Sequence, residues 1–194
     1  MTASIRSRRI ETIKFLTPDE LKGLFEVIGS KRDRAMFLIA YRHGLRASEV
    51  GLLRVADVDL KRMRILVHRL KGSLPGEHPL QPDEVKAIKA YLKDRKTDSP
   101  VLFTSVRNEP ISRRGLDWLI KGYGKKAKLP TDKQHFHVLK HSIATHLLDA
   151  GADLRFVQDW LGHSNIQNTV IYTYLTAGHR EANARKFFLK LPRF

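Results

Sequence analysis

The chain has 194 residues, 42% of them apolar, which suffices for one packed domain and excludes disorder throughout. Against 20 Asp and Glu stand 36 Lys and Arg, and the net charge of +16 asks for a polyanionic partner, with nucleic acid the first candidate. The absence of cysteine excludes disulfides, thiolate metal sites and Cys nucleophiles and fits a reducing cytoplasm, and no apolar run nears the ~20 residues of a membrane span.

Residues 1–16 are basic and lack the apolar centre of a signal peptide. They read as a solvated arm able to touch a phosphate backbone, or as a frayed terminus. Thr17-Pro18-Asp19-Glu20 predicts a helix start, with Thr17 as cap, Pro18 in the first turn and Glu20 closing a capping box. Leu21, Leu24, Phe25 and Ile28 then share one face. A second helix is expected through Ala35 to Tyr41, stopping near Gly44, and a short one around Ser48 to Leu53. Arg64 to Leu70 is extended in character, Lys71-Gly72-Ser73 is a turn, and Glu77 to Leu80 is a return strand with Pro79 at an edge. Pro100 to Phe103 is expected to add a third strand. Helices dominate afterwards: one from Pro82, a very basic one from Arg113 to Lys128, and one from His137 to Ala150 that stops at Gly151. Asp153 caps the next, Asn165 caps another that carries Tyr172, and a helical tail runs from Ala177 to Leu189. The sum is a mainly α domain with a small antiparallel β-sheet, an α+β arrangement.

Several polar residues sit oddly in these patterns. Glu49 lies three residues after Arg46, so it can hold that guanidinium across one turn. A held guanidinium is a phosphate clamp, although an ordinary surface ion pair has the same spacing. Lys71 at a hairpin tip is either solvated or carried towards DNA. His137 and Lys140 share a helix face. His137 and His141 have the spacing of a helical zinc pair, but Val138 stands where the motif needs Glu, which argues against a metal site. His163 lies on a turn, and Tyr172 and Tyr174 point in different directions on one helix. Together these propose one chemistry. A tyrosine oxygen attacks a phosphodiester, while Arg46, His137, Lys140 and His163 stabilise the developing charge and Lys71 protonates the departing sugar oxygen.

The ordered set Arg46, Lys71, His137-x-x-Lys140, Leu161-Gly162-His163 and Tyr172 resembles the tyrosine recombinase (phage integrase) family, from about Thr17 to Thr176. The spacing from His163 to Tyr172 matches that family's spacing from second histidine to nucleophile, which selects Tyr172 over Tyr174. Ala40 to Arg46, His68 to Gly72 and His78-Pro79-Leu80 look like the short fimbrial phase-variation recombinases, and the chain is expected to be of that short type in preference to a fragment of a longer one.

The resemblance implies a catalytic domain over 17–176, a basic arm over 1–16, and a C-terminal helical tail over 177–194 that docks on a neighbouring protomer. Tyr172 would form a 3′-phosphotyrosyl link and free a 5′-hydroxyl, with no cofactor, metal or ATP. The partner would be double-stranded DNA in the cytoplasm, bound by four protomers through a Holliday junction, with a partner recombinase or a DNA-bending protein as further candidates. One residue departs from the family: Lys140 stands where it has its second arginine, keeping the charge and losing the bidentate fork. That departure keeps open a DNA-binding regulator or accessory protein with this fold and little or no catalysis. A topoisomerase-like relaxing enzyme would share the chemistry. Arg113, Arg114, Lys121, Lys125 and Lys126 of the basic helix are expected to contact DNA phosphates, or else to form a solvated face.

Overall fold

The computed structural model describes residues 13–70, 75–175 and 189. The described elements run α1 (Pro18–Glu26), α2 (Lys31–Arg42), α3 (Ala47–Val50), a 3-10 turn (Val55–Asp57), β1 (Val58–Asp59), β2 (Arg64–Val67), β3 (Gly76–Pro79), α4 (Pro82–Asp94), α5 (Arg113–Lys126), a second 3-10 turn (Thr131–Lys133), α6 (Val138–Asp149), α7 (Leu154–Trp160) and α8 (Gln167–Thr173). The mainly α fold with one small antiparallel sheet is therefore as expected.

Local chemistry explains the helix ends. The Thr17 hydroxyl accepts from the Glu20 amide at 3.2 Å, and Glu20 accepts from the Thr17 amide at 2.8 Å, completing the capping box. Asp153 accepts from the Phe156 amide to start α7. Asn165 acts one residue earlier than expected, accepting from the Gln167 amide while Ile166 holds the cap position of α8.

The sheet has the order β1-β2-β3, both pairs antiparallel. Its third strand is Val58–Asp59, and Pro100 to Phe103 does not join it. That segment makes a single bridge, Arg54 with Val101, because its next residues turn inward to bury Leu102 and Phe103. Pro79 does lie on an edge strand, opposite Arg64. The expected tail from Ala177, and Lys71 with its turn, fall outside the described residues, apart from an exposed Leu189.

Two apolar clusters carry the fold. The larger joins α1, α2, α4 and α5 to the inward side of the sheet, with Phe37 edge-on to Tyr123 and Phe136. The smaller unites Ile143, Ala144, Val157, Leu161 and Tyr172, which fixes α8 against α6 and α7. A buried polar node ties the sheet to the helices. His43 bonds Glu84 at 2.9 Å and His78 at 3.2 Å, and Trp160 packs on His78 while donating to the Arg42 carbonyl. The C-terminal ends of α2 and α7 are thereby held beside β3 and the start of α4.

Candidate active site

Glu49 is the anionic centre of the site and is fully buried. Its carboxylate accepts from the Arg46 amide at 2.8 Å, the Arg46 guanidinium at 2.7 Å, Arg69 at 3.2 Å and the Leu70 amide at 3.4 Å. Burial opposes its charge, but the Arg46 amide, Lys140 and the two guanidinium groups outweigh burial and hold its pKa below the usual carboxylate range. The Arg46–Glu49 contact is thus no surface ion pair. The ion pair is gripped from inside, while the Arg46 side chain keeps 28% of its surface open.

Behind this pair lie two buried cations. Arg69, with 1% of its side chain exposed, donates to the carbonyls of His43, Gly44 and Trp160. Lys140, 1% exposed, donates to Gly44 at 2.9 Å and Leu161 at 2.8 Å. An ammonium has three donors, so these carbonyls take two of them. Burial, then Arg69 and Arg46, push the Lys140 pKa well below the ordinary lysine value. The cations bind carbonyls of two turns whose glycines have positive φ, Gly44 at 58° and Gly162 at 62°. A Cβ on Gly162 would lie 2.8 Å from Arg69 Nε, so this turn needs glycine for space as well as for conformation.

Three histidines lie within electrostatic reach of Lys140. His163 Nδ1 meets the Thr169 hydroxyl at 2.9 Å. His137 and His141 pack edge to face at 4.5 Å. Burial pushes His163 and His141 down to about 3, with Lys140 acting in the same direction on both, and His137 is pushed down to about 4 although its side chain is exposed. His141 and His163 are therefore neutral near pH 7.

Tyr172 Oη lies 2.9 Å from His141 Nδ1. The ring is 2% exposed, whereas Tyr174 is 47% exposed, so one tyrosine of the pair faces inward, as their spacing requires. Burial raises the Tyr172 pKa, opposed by Arg46. The arrangement places a protonated phenol beside a cation cluster suited to an anionic phosphoryl group.

A cavity of about 590 Å³ opens between Arg46, Leu70, Arg113, His135 and His137. Arg113, in the first turn of α5, therefore belongs to the mouth of the site. Arg114, Lys121 and Lys125 are exposed further along α5 beside Trp118, which is 75% exposed. Lys126 turns instead over the Tyr123 ring at 5.9 Å. Among the described residues, no three His, Cys, Asp or Glu side chains converge to hold a metal ion, and no helix is long and apolar enough to cross a membrane.

Sequence reading leaves Arg69 unnamed and weighs His141 only as half of a zinc pair. Arg69 is in phase with the buried Ile65 and Val67 of β2, so an arginine on the inward register was the available signal. His141 lies one turn beyond His137, and the same spacing that suggests zinc also suggests a shared face.

Residues 14–179 match the phage integrase family. The chain is 39% identical over 173 residues to tyrosine recombinase XerA of Pyrococcus horikoshii, covering 87% of itself and 60% of that protein. To the type 1 fimbriae regulatory protein FimB of Escherichia coli K12 it is 38% identical over 172 residues, covering 84% of itself and 86% of FimB. A crystal structure of XerA recombinase superposes with a TM-score of 0.77 at 32% identity, over 93% of this chain and 66% of that one. The site-specific recombinase XerH, in a post-cleavage complex with its palindromic difH substrate, gives 0.76 at 25% identity, over 89% and 52%. The chain spans about 60% of the length of the XerA protein it matches.

Proposed function

Because the chain belongs to the phage integrase family, we propose that it is a site-specific DNA recombinase of integrase or invertase type, acting on cytoplasmic DNA. The observation that carries this reading is the Tyr172 hydroxyl, buried within the electrostatic reach of Arg46 at the edge of a cluster organised by Glu49. Tyr172 is the nucleophile that forms the 3′-phosphotyrosyl intermediate. Arg46 clamps the scissile phosphate, and His137 and His163 donate to its oxygens. Lys71 protonates the departing 5′-oxygen. The phosphotyrosyl bond conserves the energy needed for rejoining, so no ATP enters the step.

Lys140 contributes charge and holds the Gly44 and Leu161 carbonyls, which aligns the turns bearing Arg46 and His163. Lacking a fork, it stabilises the transition state less than an arginine would, by about 2 kcal/mol or roughly 30-fold in rate. Incubation with DNA duplexes nicked beside the scissile phosphate, followed by a denaturing gel, tests both points. The wild type is expected to trap as a covalent adduct and Lys140→Arg to trap up to about 30-fold faster. DNA binding without an adduct in either protein would replace this reading with that of a regulator that binds DNA. Relaxation of supercoiled plasmid without recombinants would point to a topoisomerase-like activity.

The partner is double-stranded DNA, held by four protomers over two sites, with the 177–194 tail docking between neighbours and a second recombinase or a DNA-bending protein as candidate helpers. Arg113 continues the phosphate track out of the cavity, and Arg114, Lys121, Lys125 and Lys126 extend it along α5. Replacing Arg114, Lys121 and Lys125 together by Ala is expected to flatten the slope of log affinity against log salt by about 3, at ~0.9 per phosphate contact. An unchanged slope would make α5 a solvated face.

A further inference from the structure

Attack by Tyr172 on phosphorus requires its phenolic proton to leave. Burial raises the pKa of this phenol, so phenolate is not preformed at neutral pH. The proton must pass to a base already within hydrogen-bond reach. Most candidates are engaged elsewhere. Glu49 already receives four donors, the Lys140 ammonium donates to two carbonyls, and His163 Nδ1 meets Thr169. The ring of His137 packs edge-on against that of His141. His141 alone is a hydrogen-bond partner of Tyr172 Oη among the described residues, at 2.9 Å and with the rings tilted by 51°.

Resting on the reading of Tyr172 as nucleophile, we propose that His141 is the catalytic base that accepts the Tyr172 proton during strand cleavage and returns it during rejoining. The hydroxyl donates to Nδ1, so the neutral ring carries its own proton on Nε2. As Oη bonds to phosphorus, the bond from phosphorus to the 5′-oxygen breaks. The phenolic proton moves to His141 Nδ1, and the departing oxygen takes a proton from the acid on its own side, Lys71 in the reading above. In rejoining, the 5′-hydroxyl attacks, its proton returns to that acid, and His141 reprotonates the leaving phenolate.

The surroundings suit this cycle. Burial keeps free His141 unprotonated, and Lys140 on its own helix acts in the same direction. A bound phosphate adds negative charge beside Arg46 and Lys140. That charge favours the imidazolium at the moment the proton arrives.

The alternative is that His141 only orients the phenol, and asparagine separates the two roles. In His141→Asn an amide oxygen can still accept the hydrogen bond but cannot take the proton. Single-turnover adduct formation on a nicked duplex is measured for wild type, His141→Asn and His141→Ala. A second substrate carries sulfur at the bridging 5′ position, because sulfur departs without needing a proton. Both variants are expected to slow adduct formation about 100-fold, equally on oxygen and sulfur substrates, with DNA affinity and unfolding midpoint near wild type. Lys71→Ala, by contrast, should be relieved by sulfur. If His141→Asn cleaves within about threefold of wild type, the role is orientation and the proposal fails. If sulfur erases the loss, His141 serves the leaving group and the proposal fails equally. Should His141→Ala not fold, His141→Asn still decides. Absence of an adduct with the wild type would overturn the recombinase reading itself, and the base with it.

Discussion

Tyr172→Phe is expected to bind DNA like the wild type and to form no covalent adduct. The change removes one oxygen from a ring packed among Ile143, Ala144, Val157 and Leu161, so the apolar contacts that seat α8 remain. What is lost is the nucleophile and the hydrogen bond to His141. Losing that bond should cost about 1 kcal/mol of stability, too little to unfold a domain of ordinary stability. Tyr174→Phe is the matched control. Its ring is 47% exposed, and its loss should leave adduct formation unchanged. A persistent adduct in Tyr172→Phe would remove Tyr172 from the mechanism.

Glu49→Ala is expected to have the largest effect on stability, about 3–5 kcal/mol by urea unfolding. The carboxylate is fully buried and is the partner of Arg46 and of the buried Arg69. It also offsets part of the electrostatic penalty on Lys140. Alanine would leave Arg69 and Lys140 buried beside each other without a counter-charge and would release the Leu70 amide. Glu49→Gln retains the shape and some acceptors, so it should fall between wild type and alanine. The same carboxylate links stability to pH. Its folded pKa lies below the ordinary 4.5, so its contribution is complete above that value and is lost as pH falls through the folded pKa. A loss under about 1 kcal/mol in Glu49→Ala would show that the backbone carbonyls, and not Glu49, hold the cations in place.

Much of this was legible in the sequence, because helix ends and apolar faces are local signals. The capping box at Thr17, the stop at Gly44 and the cap at Asp153 follow from side chains within one turn. The sheet was harder. Val58–Asp59 has only two residues, too short for an alternating pattern, whereas Val101 to Phe103 looks like a strand but is apolar because Leu102 and Phe103 fill the core.

At the site, the Arg46–Glu49 pair could be anticipated from spacing, but its burial could not, since Arg69 reaches Glu49 from 20 positions away. The placement of Lys140 was hidden for the same reason: its acceptors at Gly44 and Leu161 belong to other segments. His141 was visible as a face-mate of His137. Its contact with Tyr172 depends on how α8 packs on α6, which no local pattern encodes.

The central claim is a phosphotyrosyl bond at Tyr172, and the most direct measurement is to trap and map it. Wild-type protein is incubated with a nicked duplex labelled on either side of the cleavage point, and the adduct is digested and sequenced by mass spectrometry. The account predicts that the adduct retains the DNA ending in a 3′-phosphate, that the opposite fragment leaves with a 5′-hydroxyl, and that the modified peptide carries the bond on Tyr172. Bound DNA with no adduct, or an adduct mapped to any other residue, would contradict it.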